Sequence, residues 1–530
     1  MVIEDFDDIL PHVGSFGPFQ KRILLLSLPV NYFLPVVYMA QIYQTLTPDH
    51  WVSVLELSHL EPSERRNLSI PLETRDGELV YSRCRMFDVN FTQEEAMVDV
   101  SNWVYEDDWR ANFAQAMFFA GAIVGSLLIG LLADWYGRLP VLVLSKVLAC
   151  GVGVATGFSR GFVVFVVCRF LIGMAYDLHF INAINNNVPG MEYVGPEKRT
   201  LVGNIPLATF LTLGAGSLPW IAYALADWRL FSIVTLAPIG AIVAAWWFVP
   251  ESVRWLIVKG KSEETMEILR KCTRVNNKTA ATKRAYQLEM DNSTNWMDLF
   301  RTSKMRQGFL IINLTWSAFF MMVLTVVYDG YVRSLDILPY SVFITNSVAG
   351  ALELPADLVP VVTLDRLGRR WTLMMAMGLA GLAGIATGLV PQISAMLMTV
   401  LAMASRFFTT TAINSGLQYM VELIPTQLRG QGTGVIHITG HGATFFAPFI
   451  LYLSNYNKTL PYIVLGSMSV FGGLLCLLLP ETADQNLPET VADAEHFGAD
   501  QSFFQMPCLS KRWERQQRLN DAKDADVTIS

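Results

Sequence analysis

Long apolar runs alternate with short polar breaks along almost the whole chain. They fall at 21–43, 111–133, 139–158, 162–190, 201–223, 228–249, 308–328, 340–363, 371–390, 393–420, 431–453 and 460–480. At a rise of about 1.5 Å per residue, a run of about 20 residues crosses a hydrocarbon core of about 30 Å as a helix. Only internally hydrogen-bonded helices can place so much continuous apolar sequence in lipid. The pattern therefore predicts an all-α membrane protein with twelve transmembrane helices. Two long polar segments interrupt it, 44–110 after the first run and 251–307 after the sixth, and a polar tail follows from about 481. Six runs, a long polar segment and six more runs point to two six-helix halves.

Composition narrows the class further. Of 530 residues, 52% are hydrophobic and 16% charged, against about 25% charged in soluble proteins. A soluble multidomain enzyme, a disordered scaffold and a nucleic-acid binder are excluded. The net charge of −7 reports the loops more than any partner. Six cysteines (Cys84, Cys150, Cys168, Cys272, Cys476, Cys508) are scattered without metal-ligand spacing, and only Cys84 falls in a large polar loop. No disulfide framework is expected. The acidic start (Glu4, Asp5, Asp7, Asp8) and the length of the first run argue against a cleavable signal peptide.

Loop charges give the orientation. Residues 44–110 hold 14 Asp/Glu and 6 Lys/Arg, whereas 251–307 hold 12 Lys/Arg and 7 Asp/Glu. By the positive-inside rule the second segment is cytoplasmic and the first external. Arg138, Lys198, Arg199, Arg366, Arg369, Arg370 and Arg429 fall on the same side as the second segment. The expected division is a cytoplasmic N-terminus (1–20), a first half (21–250, with 44–110 as a large extracellular loop), a cytoplasmic central loop (251–307), a second half (308–480) and a cytoplasmic tail (481–530). Asn67 and Asn90 head sequons in the external loop and are candidate glycosylation sites.

The halves repeat each other. Asp134-x-x-Gly137-Arg138 recurs as Asp365-x-x-Gly368-Arg369 at an offset of 231. Glu192 to Arg199 recurs as Glu422 to Arg429, and Pro250-Glu251 as Pro480-Glu481, both at 230. Parallel repeats of this kind build many transporters, with the substrate site between the halves.

Further strings bring a family into view: Phe6-Asp-Asp-Ile-Leu, Gly14-Ser-Phe-Gly17-Pro-Phe-Gln20, Thr47-Pro-Asp-His50 and Asp134-Trp-Tyr-Gly-Arg138. Pro250-Glu-Ser-Val-Arg254-Trp255, Glu353-Leu-Pro-Ala356, Leu364-Asp-Arg-Leu-Gly-Arg-Arg370 and Glu422-Leu-Ile-Pro-Thr-Gln-Leu-Arg429 follow in order. From Phe6 to about Thr490 the chain resembles the organic cation/anion/carnitine transporter family of solute carriers, in the major facilitator superfamily. The resemblance implies the major facilitator fold and transport of small organic ions. Several positions depart from the family pattern. The external loop has Cys84 alone where relatives carry several bonded cysteines. Leu139 replaces a common second basic residue. His441 stands where cation-transporting relatives carry Asp and anion-transporting relatives Arg, and Met321-Met322-Val323 stands where a Tyr-x-Gly segment is usual.

The repeated motifs sit at tight turns between spans. Gly137 and Gly368 permit the turn, Asp134 and Asp365 can accept from helix N-termini or arginine, and Arg138 and Arg369 can pair with carboxylates across the bundle. With Glu192/Arg199, Glu422/Arg429 and Glu251/Arg254 they form a candidate cytoplasmic latch holding the outward-facing state. The plainer alternative is an anchor for helix ends.

Ionisable groups at membrane depth are costly and hence functional candidates. Asp177 lies in the fourth span, and the resemblance puts Asn187 at a cavity-lining position; interhelical hydrogen bonding is the alternative for both. His437 and His441 share one helix face. A zinc site is a poor reading, since no further ligand set accompanies them. His441 is a candidate substrate contact that can be neutral or charged near neutral pH. Glu353 matches a family acid facing the cavity and can balance a cation or pair with Arg406. In the tenth span Thr411, Asn414, Ser415 and Gln418 form a polar stripe, and Trp316, Phe319, Phe320 and Tyr328 offer cation–π faces. The candidate substrate residues are thus His441, Asn187, Glu353, Asp177, Gln418 and Met321.

Gly260-Lys261-Ser262 lacks the first glycine of a phosphate-binding loop, so no ATP-driven pump is indicated. Gly121-x-x-x-Gly125 and Gly384-x-x-x-Gly388 read as close-packing motifs. The expectation is a plasma-membrane transporter, not an enzyme and without a cofactor, whose partners are a small organic ion and the bilayer, with no nucleic acid; the coupling ion is left open. Cations or zwitterions are favoured because Asp177 and Glu353 outnumber Arg406. The alternatives are an organic anion carrier using protonated His441, or a non-transporting glycoprotein of the same fold.

Overall fold

A computed structural model describes residues 16–45, 72–75, 78–81, 85–90, 93–99, 109–184, 196–244, 249–276, 304–390, 394–424 and 429–483. Six helices form the first half: α1 (Pro18–Gln44), α2 (Trp109–Tyr136), α3 (Arg138–Gly157), α4 (Phe162–Ile184), α5 (Pro196–Leu225) and α6 (Trp228–Leu236). The last continues as a 3-10 segment, Ala237–Ala244. Two short helices follow, α7 (Val253–Val258) and α8 (Ser262–Val275). The second half consists of α9 (Lys304–Arg333), α10 (Val342–Leu367), α11 (Arg369–Leu389), α12 (Ala395–Leu423), α13 (Arg429–Thr444) with α14 (Ala447–Tyr452), and α15 (Leu460–Cys476). Each of the twelve expected runs thus contains a helix. Among the described residues, seven stretches are long and apolar enough to cross a membrane, and Phe162–Tyr176, Trp228–Ala241 and Leu460–Cys476 are shorter apolar helices.

Boundaries differ from the sequence reading where local chemistry intervenes. Helix α9 continues to Arg333, five residues past the expected end at 328, because an internal ion pair neutralises its last turn. The eleventh run is split at Phe445–Phe446, just before Pro448, which has no backbone N–H to continue the ladder. The loop after α1 adds four strands to the helical picture. The strands β1 (Leu72–Arg75) and β2 (Glu78–Tyr81) pair antiparallel, with Leu72 opposite Tyr81. The two residues between them read Asp-Gly, the pair that two-residue hairpins favour. A second hairpin joins β3 (Arg85–Asn90) to β4 (Gln93–Asp99), with Asn90 opposite Gln93 near its tip.

Helix α1 runs from a Pro18 end of the bundle to a Gln44 end, and the spans of each half alternate in direction. Its start is fixed by Pro18 in the first turn and by the Gln20 side chain, whose Oε1 accepts the Gly17 N–H at 3.0 Å. Asn276, after α8, accepts the Phe19 N–H at 3.0 Å and donates to Gln20 Oε1 at 3.0 Å. The N-terminal Gly-Pro-Phe-Gln string is therefore a docking site for the C-terminus of α8. Cys272 of α8 lies under this contact, and burial pushes its thiol up to about 12.

Small residues set the closest crossings. A Cβ at Gly121 would strike the Phe170 carbonyl, and one at Gly173 the Phe118 carbonyl, so α2 and α4 meet backbone to backbone. Gly381 and Gly466 bring α11 against α15 in the same way. The second half encloses a core of Phe320, Met321, Leu324, Leu373, Met377, Tyr419 and Leu465. Leu144, Val163, Val361, Leu382 and Leu474 are exposed along helix flanks that face lipid rather than water. The halves touch through α5 and α10, where Gly350 approaches the backbone of Gly216, and through rings at the Gln44 end. There Tyr43 stacks on Phe343 at 6.3 Å and Tyr223 meets the same ring edge-on at 5.4 Å.

Candidate functional site

A narrow pocket lies between the halves. Met39, Ile42 and Tyr43 of α1 and Ala215 of α5 line it from the first half, and Val332, Leu335, Asn346, Ala349, Gly350, Glu353 and Arg406 from the second. Glu353 of α10 and Arg406 of α12 form an ion pair whose side chains are 1% and 2% exposed. The guanidinium also lies 4.5 Å from the centre of the Tyr328 ring and donates to its hydroxyl at 3.4 Å. Glu353 Oε2 and Arg406 Nε and Nη1 are buried with no protein hydrogen-bond partner. One turn further along α10, the half-buried Asp357 accepts a hydrogen bond from Asn414 Nδ2 of α12.

The backbone of α10 explains why these groups meet. Pro355 and Pro360 stand inside the helix. Pro360 has no N–H for the Ala356 carbonyl, and Thr411 Oγ1 of α12 donates to that carbonyl instead, at 3.2 Å. This bond ties α10 to α12 between Glu353/Arg406 on one side and Asp357/Asn414 on the other. Glu353 and Arg406 line the pocket, and Asp357 stands one turn beyond them on α10, outside its lining.

The other expected substrate residues scatter. Met321 is 1% exposed within the apolar core of the second half. Gln418 is exposed near the Pro18 end, with Nε2 3.4 Å from Glu422 Oε1. His441 is half-buried in the last turn of α13, and His437 is buried one turn earlier. The Asp177 side chain and all of Asn187 lie outside the described residues, as does Asn67. The helix that carries Met321 also contains Tyr328-Asp-Gly330, itself a Tyr-x-Gly string, and it is this Tyr328 that reaches Arg406.

The repeated motifs form matched caps. Glu251 Oε1 accepts the N–H of Arg138 at 3.1 Å and of Leu139 at 3.2 Å, at the start of α3. Glu481 accepts the N–H of Arg369 at 2.8 Å and of Arg370 at 3.1 Å, at the start of α11. A carboxylate there answers the partial positive charge of each helix N-terminus. Gly137 and Gly368, at φ of 105° and 92°, make the turns that bring these N–H groups to the glutamates. Burial nevertheless raises the Glu251 carboxyl above its ordinary range, against the lowering effect of its backbone hydrogen bonds. Arg369 also grips Glu422, with Nε 3.0 Å from Oε2 and Nη2 3.1 Å from Oε1. These bonds all lie within one half. The side chains of Asp134, Arg199, Arg254, Asp365 and Arg429, and the whole of Glu192, lie outside the described residues.

The profile of the "Sugar (and other) transporter" family matches residues 85–179 and 201–493. The human "Organic cation/carnitine transporter 2" is 30% identical over 92% of this chain and 94% of its own. The chain belongs to the organic cation/carnitine transporter family of the major facilitator superfamily. The "Carcinine transporter" of Drosophila melanogaster is also 30% identical, over 94% of this chain and 80% of its own. The xylose transporter XylE of E. coli, in an inward open conformation, superposes with a TM-score of 0.58 at 16% identity, covering 90% of this chain and 99% of that one. That likeness establishes the major facilitator fold. The protein is a multi-pass membrane transporter and not an enzyme.

Several polar groups of the transporter escape the sequence reading. Asp357 sits at i+4 from Glu353, a spacing that puts both on one helix face. Asp329 and Arg333, an acid and a base at i,i+4, lie beyond the expected end of their span. Buried Arg169 of α4 donates to Gln44 and, at 3.1 Å, to Thr156, and Lys146 of α3 is also buried. A charge inside an apolar run is the signal that marks the last two.

Proposed function

We propose that this transporter moves small organic cations or zwitterions across the plasma membrane by alternating access, as a facilitative or ion-coupled carrier. The Pro18 end, the 251–307 segment and both termini face the cytosol, and the 44–110 segment faces outside. The charge beside the pocket carries this reading. Glu353 is matched by Arg406, whereas Asp357 has an amide and no base against it among the described residues, so a bound cation would balance its carboxylate form at membrane depth. The names of the human and fly relatives, which refer to organic cations, carnitine and carcinine, support it. An anion carrier has less support, because Arg406 is neutralised in place by Glu353.

The topology gives the motifs a sense. Interhalf ring contacts lie at the Gln44 end, so this conformation opens toward the cytosol. In it Arg138 with Glu251, and Arg369 with Glu422 and Glu481, are bonded within their own halves, and they are the groups that would meet when the Pro18 end closes. Asn90, near the tip of an external hairpin, and Asn67 are the proposed glycan acceptors.

Uptake of a permanently charged organic cation, a carnitine-like zwitterion and a dicarboxylate, each with and without an inside-negative potential, tests the proposal. The expected result is cation uptake driven by the potential, reduced on the order of tenfold by Asp357→Asn at equal surface expression, the scale of one lost charge-assisted contact. Dicarboxylate uptake alone, or an Asp357→Asn variant that transports cations normally, overturns it.

A further inference from the structure

Three contacts join α10 to α12 in parallel register. Arg406 donates to Glu353, Thr411 Oγ1 donates to the Ala356 carbonyl at 3.2 Å, and Asn414 Nδ2 donates to Asp357. The first and third involve carboxylates. The middle one joins a hydroxyl to backbone, and both its residues are buried, Ala356 at 0% and Thr411 at 2% exposed. Thr411 does not line the pocket, so its place on the polar stripe of the tenth span has another origin.

Pro360 makes this bond necessary. In an uninterrupted helix the Ala356 carbonyl would accept the N–H of residue 360, and proline has none. A bare carbonyl at membrane depth has no water to turn to. Thr411 Oγ1 also lies 3.1 Å from the Phe407 carbonyl of its own helix, but that oxygen already takes the Thr411 N–H in the helix ladder. The single hydroxyl proton therefore serves Ala356, the acceptor that Pro360 leaves bare. Thr409 and Ser415 show the ordinary pattern, each donating back to a carbonyl of α12 at 2.8 Å. The peptide group that carries the Ala356 carbonyl also carries the Asp357 N–H and is planar, so holding that oxygen sets the plane from which Asp357 leaves the helix.

We propose that Thr411 is a positioning residue of the transport site: it holds the turn of α10 that Pro360 breaks, so that Asp357 stands against Asn414 one turn from the Glu353–Arg406 pair. This rests on the reading of Asp357 as the acid that a cation balances. The bond itself does not depend on any solute, and the two are tested apart. Thr411→Val keeps the branched shape and removes the donor, whereas Thr411→Ser keeps the donor. Pro360→Ala gives the turn back its N–H, and the hydroxyl is then no longer needed there.

Uptake of tetraethylammonium at matched surface expression reads the site. Thr411→Val should raise KM on the order of tenfold with the maximal rate per surface molecule nearly unchanged, and Thr411→Ser should restore it. In the Pro360→Ala background, Thr411→Val should change KM by less than about twofold, because the bond it removes is no longer required. Thermal unfolding of the purified protein without solute should follow the same rule: Thr411→Val lowers the midpoint in the unmodified background and leaves it nearly unchanged beside Pro360→Ala. An unchanged KM, a fall in maximal rate alone, or equal effects of Thr411→Val in both backgrounds overturns the proposal. If Thr411→Val does not reach the surface, Thr411→Cys, a weaker donor, should raise KM to a smaller degree, and an unchanged KM there overturns it as well. Normal tetraethylammonium uptake by Asp357→Asn would sink the cation reading instead, and the thermal comparison would still decide whether Thr411 holds α10.

Discussion

Removing one member of the Glu353–Arg406 pair tests how the second half tolerates charge in its interior. Both side chains are almost wholly buried, and Tyr328 covers the guanidinium face. Two unit charges about 4 Å apart interact by about 4 kcal/mol at an effective dielectric of about 20. Truncating one partner also leaves the other buried and unpaired, a situation that typically costs about 3–5 kcal/mol. Glu353→Leu should therefore destabilise the transporter by about 3–5 kcal/mol, most of it arising from the stranded Arg406. Glu353→Leu with Arg406→Met removes both charges at similar volume and should return to within about 1–2 kcal/mol of the unmodified protein, or exceed it, as buried pairs elsewhere do. Reversible denaturant unfolding of the purified protein in mixed micelles, followed by tryptophan fluorescence, gives the two differences and their coupling. A single substitution costing no more than about 1 kcal/mol, the range of an exposed pair, would refute the reasoning. So would a double variant as unstable as the single one, because the cost would then come from packing rather than from charge. The Arg369–Glu422 fork, 17% and 13% exposed, provides an internal comparison and should couple more weakly.

Other consequences can be checked alongside the uptake experiments. Because burial raises the folded-state pKa of Glu251, folding takes up a proton there, and stability from this group is greatest at low pH and falls as pH rises through the raised value. Thermal unfolding of the unmodified protein and of Glu251→Gln, compared from about pH 4 to pH 8, should diverge only above the ordinary carboxylate range of about 4.3; parallel curves would contradict the assignment. At the Pro18 end, a Cβ at Gly17 would collide with the Asn276 side chain. Gly17→Ala should lower the unfolding temperature and speed proteolysis within the 251–307 segment, and Asn276→Ala should restore much of the fit; no rescue would mean that the contact does not hold α8.

Much of the membrane architecture is legible in the chain itself. Apolar run length measured against bilayer thickness is a one-dimensional quantity, so all twelve runs can be marked without knowing what packs on what. The glycines of Gly121-x-x-x-Gly125 were readable as close-packing points, and they meet the carbonyls of α4. The end of α9 was not readable in this way: counting hydropathy stops at Tyr328, because Asp329 and Arg333 look like loop residues until their pairing is known. The strands within 72–99 escaped for a related reason, since short polar alternation is weak beside the signal of a span.

The candidate site was legible only in part. The sequence offers Glu353 and Arg406 as possible partners, and they are paired; it offers Met321 as a substrate contact, and Met321 faces the core. Sequence determined the number of spans, the repeat of the halves and the family, because these depend on composition, spacing and order along the chain. Tertiary structure decided that Asp357 meets Asn414 one turn from the Glu353–Arg406 pair, that the glutamates after each half cap helices within that half, and that Asp329 and Arg333 meet Tyr38 and Gln115. Those pairings join residues from 57 to 291 positions apart. They depend on how each helix is rotated against its neighbours, which the packing of the whole bundle sets.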